Sequence, residues 1–169
     1  MTDYTRVASY DVTSAIWTEL QNAGLFNSSD YLPDGFDVPL IPIFPAQQIP
    51  EMNNLLPGKP YFTYDVSQKN FNTQFWIVQE EMTLEFVSRN NAQINTVLNF
   101  LLDLLRRYEK SATDINVDVA GSPYRFLYFK VDSTDPVQAF TDEGGYMSAV
   151  FTFTYYYTSE VDQGTGRYI

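Results

Sequence analysis

Three carboxylates stand within six residues of each other at Glu80, Glu81 and Glu85. Paired carboxylates can cleave glycosidic bonds when one acts as acid and the other as base or nucleophile. In an extended segment, however, Glu81 and Glu85 share one face and Glu80 points the opposite way, so a solvated strand face accounts for them better. A second acidic group, Asp132, Asp135, Asp142 and Glu143, could ligate a hard cation such as calcium, but it lacks EF-hand spacing. The chain has no Cys and no His. Thiolate chemistry is thereby excluded, and the commonest general base and metal ligand are missing. Serines and threonines have no Gly-x-Ser-x-Gly elbow and no His partner, and Gly144-Gly145 alone is no phosphate-cradling loop. The run Tyr124-Arg125-Phe126-Leu127-Tyr128-Phe129-Lys130 has the aromatics of a nucleic-acid stacking strand without its glycines. Core and interface packing explains it better. The chain reads as a non-enzyme with no cofactor and no metal.

The elements around these residues are strongly patterned. From 76 to 87 a strand alternates Trp76, Val78, Met82, Leu84 and Phe86 against Gln79, Glu81, Thr83 and Glu85. It runs into a helix whose stripe is Ile94, Val97, Leu98, Leu101, Leu104, Leu105 and Tyr108. Arg106, Arg107 and Lys110 suit the negative end of that helix. An earlier helix is expected over 10–23, with Val12, Ala15, Ile16, Leu20 and Ala23 on one face. Ser9 or Asp11 can cap it, and Gly24 is its left-handed stop. Residues 61–66 read as a strand joined through a polar loop, 67–73, to the strand at 76–87. Ile115, Val117 and Val119 alternate briefly. Residues 124–131 and 147–157 form a long antiparallel hairpin, with Tyr124, Phe126 and Tyr128 set against Arg125, Leu127 and Phe129 on its first strand. The fold expected is α+β: a mostly antiparallel sheet with two helices packed on one face.

At 169 residues the chain fits a single domain, 1–169. Three excursions leave it: a proline-rich arm over 38–60, an acidic hairpin loop over 132–145 and a C-terminal tail over 160–169. Prolines at 39, 42, 45, 50, 57 and 60 hold the arm extended, with Ile41, Ile43 and Phe44 able to make a short edge strand. A connection this long is either mobile or held against something else, and a contact arm for a neighbouring subunit is the favoured reading. Thirteen Tyr and thirteen Phe suit either a β-rich core rimmed by tyrosines or an extensive protein interface. The net charge of −11 disfavours binding to phosphate backbones and suits a surface that DNA passes without sticking. No signal peptide is evident and no apolar run is long enough to span a bilayer. The expected setting is therefore intracellular, without a membrane partner.

Several segments together resemble the tail-terminator and tail-completion proteins of tailed bacteriophages. They are Pro45-Ala46-Gln47-Gln48-Ile49-Pro50-Glu51, Pro60-Tyr61-Phe62-Thr63-Tyr64-Asp65, Trp76 with its acidic-edged strand, and the helix over 88–108. Ser111-Ala112-Thr113-Asp114-Ile115-Asn116 looks like the versions in contractile-tailed phages. The resemblance covers about 39–131. It implies an α+β subunit of a homohexameric ring in the virion tail or neck, assembled in the host cytoplasm. Such a ring caps the tail tube and meets the neck or head connector, and genome DNA passes through it without specific binding. Tube terminator, neck ring and sheath-completion protein stay open at this point, as does contractile against non-contractile tail. On this reading the inter-subunit candidates are Pro39, Ile41, Ile43, Phe44, Pro45, Ile49, Pro50, Tyr155 and Tyr157. Asp132, Asp135, Asp142 and Glu143 are candidates to face the lumen or tube. The alternative is a small acidic adaptor or inhibitor that binds a single host protein.

Overall fold

The computed structural model describes residues 7–25, 43–45, 60–72, 77–119, 121–139 and 147–159. The described elements are α1 (Ala8–Asn22), β1 (Ile43–Pro45), β2 (Tyr61–Asn72), β3 (Ile77–Ser88), α2 (Asn91–Lys110), α3 (Ala112–Asp118), β4 (Tyr124–Ala139) and β5 (Met147–Ser159). They make an α+β fold in which helices pack on a four-stranded antiparallel sheet, β2-β3-β5-β4, and β1 adds a short parallel strand outside β2. Among the described residues there are three helices where the sequence reading has two.

β3 is central because its alternation gives it one dry face. Met82, Leu84 and Phe86 are fully buried, and their partners on β5 are Phe153, Phe151 and Ala149. On the other side Phe86 meets Phe62 of β2, with ring centroids 4.6 Å apart. Small Ala149 opposite Phe86 leaves room for this pair. Each fully buried aromatic or branched side chain is worth about 1.5–3 kcal/mol over exposure, so the register is well specified. A slip of one residue would turn all three β3 side chains to the polar face.

The corner from β3 into α2 is held by side chains. Ser88 Oγ accepts the Asn90 N–H at 3.0 Å and donates to Gln93 Oε1 at 2.8 Å. Asn90 Oδ1 then caps α2 by accepting the Ala92 and Gln93 N–H groups. Ile94, Val97, Leu101, Leu104, Leu105 and Tyr108 are buried as the stripe requires, and Leu98 is half-buried at its edge.

Several expectations need correction. α1 starts at Ala8 with Val7 at its N-cap and no side-chain cap. Asp11 is buried and accepts a hydrogen bond from Ser122 Oγ, so it serves a tertiary contact and not the helix start. Gly24 has φ 72°, the left-handed stop expected of it, while Ala23 is exposed. β2 runs on to Asn72 through an irregularity between Gln68 and Asn70. Its second half pairs with β3 through Asn72 with Lys69 left out, and backbone pairing needs no apolar side chains. β4 likewise continues to Ala139, so Asp132 and Asp135 lie in a strand and not in a loop.

The segment 115–119 is helical. Ile115 is buried and Val119 nearly so, but Val117 is 68% exposed. That is the four-residue spacing of a helix face, which a short alternating run cannot reveal. α3 packs on α2 and β4, and Tyr108 Oη donates to Asp118 Oδ2 at 2.6 Å.

Candidate interaction surface

The acidic residues separate as the alternation requires. Glu80 lies on the helix-covered face of β3, where it accepts hydrogen bonds from Tyr155 Oη at 2.6 Å and Tyr157 Oη at 2.8 Å. Burial pushes both tyrosine hydroxyls well above their ordinary value; the charge of Glu80 and its hydrogen bonds add to the shift. Tyr108 is raised in the same way, first by burial and then by Asp118. Asp118 is itself raised by burial, against the lowering effect of the Tyr108 hydrogen bond. These groups form structural hydrogen bonds inside the fold.

Tyr155, a candidate for contact with a neighbour, is fully buried in the core. Its ring lies 6.0 Å from that of Phe129 and 5.9 Å from that of Phe126. Tyr157 is half-buried against Tyr124. Ile43 and Pro45 sit half-buried in β1, and Phe44 is placed there by its backbone. Asp132 is exposed on β4 and accepts from Thr154 Oγ1; Asp135 is placed by its backbone opposite Val150. Pro39, Ile41, Ile49, Pro50, Asp142 and Glu143 lie outside the described residues. Among the described residues, no group of three or more His, Cys, Asp or Glu is placed to hold a metal ion, and no helix is long and apolar enough to cross a membrane.

What the structure brings together is a different set. On the sheet face away from the helices, Ile77, Leu127, Tyr128 and Tyr156 line an open dish of about 420 Å³. Leu127 is 43% and Tyr128 48% exposed, high values for such side chains. The Tyr128 and Tyr156 rings meet edge to face, with centroids 5.4 Å apart and planes at 73°. The dish owes its existence to a bulge in β4. Phe126 pairs with Tyr157 and Tyr128 with Tyr156, leaving Leu127 as the extra residue. Phe126 and Phe129 therefore both face the core, while the two residues between them turn outward. Strict alternation puts Phe126 with Tyr128 and Leu127 with Phe129, so the dish was missed. The available signal was four consecutive large apolar residues, Phe126-Leu127-Tyr128-Phe129, which no half-buried alternating strand accommodates.

The β4 edge beside the dish is engaged by helix side chains at Phe126 and Val131. Asn116 of α3 donates its amide to the Phe126 carbonyl at 2.8 Å and accepts the Phe126 N–H at 2.8 Å. Glu109 of α2 accepts the Val131 N–H at 2.9 Å. Peptide groups that could template another strand are thereby engaged, which is how edge strands are protected from pairing. Arg125 and Lys130 flank the dish on the same face, both exposed. The surface combines an apolar centre and two exposed cations with a strand edge engaged at both backbone groups of Phe126 and at the Val131 N–H. That composition suits side-chain-mediated contact with another protein.

No protein-family model matches the chain, and no curated protein matches it in sequence.

Proposed function

We propose that the chain is a structural virion protein, the subunit of a tail-terminator or tail-completion ring. It caps the tail tube of a tailed bacteriophage and joins it to the neck or head connector. The observation that carries this reading is the exposed aromatic dish on a rigid sheet whose other face is filled by helices. Such a surface suits contact with a partner. The segment resemblance over 39–131 supports the same reading, as does an acidic composition that lets DNA slide past. A homohexamer gives each copy two different contacts, one on each flank, and closes when the rotation between neighbours completes a circle.

Mass photometry and negative-stain microscopy of the purified chain test this. Rings of about six copies with a central hole, or rings that form on meeting tail-tube ends, are the expected result. A chain that stays monomeric at high concentration and ignores tube ends refutes the reading. A defined one-to-one complex with a host protein in its place identifies an adaptor or inhibitor.

A further inference from the structure

We propose that residues 115–119 form a two-state switch: α3 in the ground state and, in a minor state, a strand that pairs with the edge of β4 at Phe126. The switch belongs to the single chain and holds whether or not the chain forms rings.

Ile115, Val117 and Val119 alternate and are β-branched, and side chains of this kind favour a strand over a helix. α3 has seven residues and no side-chain cap, and Ile115 alone among them is buried. Helices this short are unstable by themselves, so α3 depends on a few tertiary contacts. They are Ile115 in the core, the Tyr108 hydrogen bond to Asp118 and the Asn116 bracket on Phe126. Val117 gains nothing from the helix and stays 68% exposed.

The bracket brings a strand within reach. The Asn116 side-chain amide carries the same N–H donor and C=O acceptor as a peptide group, and it exchanges two bonds of 2.8 Å with the Phe126 backbone. Residues of a hydrogen-bonded antiparallel pair exchange those same two bonds. When 115–119 extends, the Asn116 backbone takes over both, and neither Phe126 group loses its partner. Direction and reach agree. Glu109 meets Val131 and Asn116 meets Phe126, so the chain already runs antiparallel along β4. Seven extended residues reach about 23 Å, and the five steps of β4 beside them span only about 17 Å. The reversal into β4 also exists already: the Ser122 N–H donates to the Val119 carbonyl at 2.9 Å, and Gly121 has φ 89°. Pairing Asn116 with Phe126 leaves 119–123 as a five-residue hairpin loop, a common length.

Extension changes what the open face carries. Directly opposite residues share a face, so Ile115 and Val117 join Leu127 and Arg125 there and widen the dish. Ile115 leaves the core and Asp118 loses Tyr108, which keeps the strand a minor state on the order of 1%.

Nuclear magnetic resonance of the full chain, kept dilute so that it stays monomeric, tests the switch. In the wild type, saturation-transfer experiments are expected to show exchange at 115–119, with strand-like shifts in the minor state. Asn116→Val removes the side-chain bracket, which only α3 uses, and adds strand preference. The strand population is expected to rise about tenfold or more. A close Hα contact between residues 117 and 125, which face each other without hydrogen bonds in this register, identifies the pairing. Val117→Ala favours the helix and is expected to lower the strand population about threefold. Random-coil shifts at 115–119 in Asn116→Val, with no contact between 117 and 125, show a plain loss of α3 and overturn the switch. Helical shifts in Asn116→Val together with no exchange in the wild type overturn it as well.

Discussion

Raising the pH should unfold this protein steeply, and the structure gives the slope. Tyr108 and Tyr155 are fully buried, and burial holds both hydroxyls far above their ordinary value. Once the chain unfolds, both ionise near pH 10 as in a model peptide. A group raised in the folded state contributes its full stability below the unfolded pKa and loses it as pH rises toward the folded one. Each such tyrosine therefore removes about 1.4 kcal/mol of stability per pH unit above about pH 10. The two together remove about 5 kcal/mol by about pH 12, which rivals the whole stability of many domains. Tyr157 is also raised, but it is half-buried and solvent screens part of its effect. Tyrosinate absorbance followed beside far-ultraviolet circular dichroism reads this directly. The exposed tyrosines should titrate first with no change in secondary structure, and the last ones should ionise only as the ellipticity collapses. Tyr155→Phe should lessen the slope by one group, about 1.4 kcal/mol per pH unit. Reversible ionisation of all thirteen tyrosines near pH 10 with ellipticity intact would refute the reasoning.

Glu80→Ala removes the acceptor shared by Tyr155 and Tyr157, and a loss of about 2–4 kcal/mol in chemical denaturation is expected, with Glu80→Gln costing less than half of that. Asn116→Ala frees both backbone groups of Phe126. It should cost about 1–2 kcal/mol and make the chain prone to concentration-dependent β-aggregation, measured by light scattering. Ile115→Ala should cost about 2–4 kcal/mol, whereas Val117→Lys should stay within about 0.5 kcal/mol. Equal costs at these two positions would restore a strand at 115–119, where both side chains share a face.

The parts of the fold legible in the sequence are those where one period persists for several turns. The alternation of 77–87 and the stripe of 94–108 carried over with shifts of a residue or two at the ends, and Trp76 lies outside the described residues. On β5 Ala149, Phe151, Phe153 and Tyr155 are buried as one alternating row, and Met147 and Tyr157 at its ends are half-buried. Failures came where a local pattern was too short or was interrupted. At 115–119 five residues fit either period, and packing against Tyr108 and Phe126 decided for helix. The ends of β2 and β4 read as loops because their sequence is polar and does not alternate, yet backbone pairing with β3 and β5 extends them. The bulge leaves Phe126 and Leu127 on the faces that alternation gives them and exchanges those of Tyr128 and Phe129, which is what brings Tyr128 beside Leu127 in the dish. Glu80 was correctly set apart from Glu81 and Glu85, but its two tyrosine partners come from β5 and no local pattern announces them.

The same short helix that the alternation concealed also constrains how a partner can dock. Ile115 and Val119 anchor α3 in the core, and this fixes Asn116 where it brackets Phe126. Directly after Phe126 the bulge sends Leu127 and Tyr128 outward. One stretch of β4 is thus closed as a backbone template and open as a side-chain surface. Strand addition has no stopping rule: each added strand exposes a new edge. Contacts through a side-chain dish stop at a fixed number only where the rotation between neighbours closes a ring. In the ring proposed above, blocking the edge matters as much as building the dish. The two requirements predict opposite signs for two neighbouring substitutions. Loss of Asn116 should increase association without limit, giving large and heterogeneous species, while loss of Leu127 and Tyr128 should reduce it to monomers. Sedimentation velocity separates these outcomes, and a shift of both variants in the same direction contradicts the division of roles.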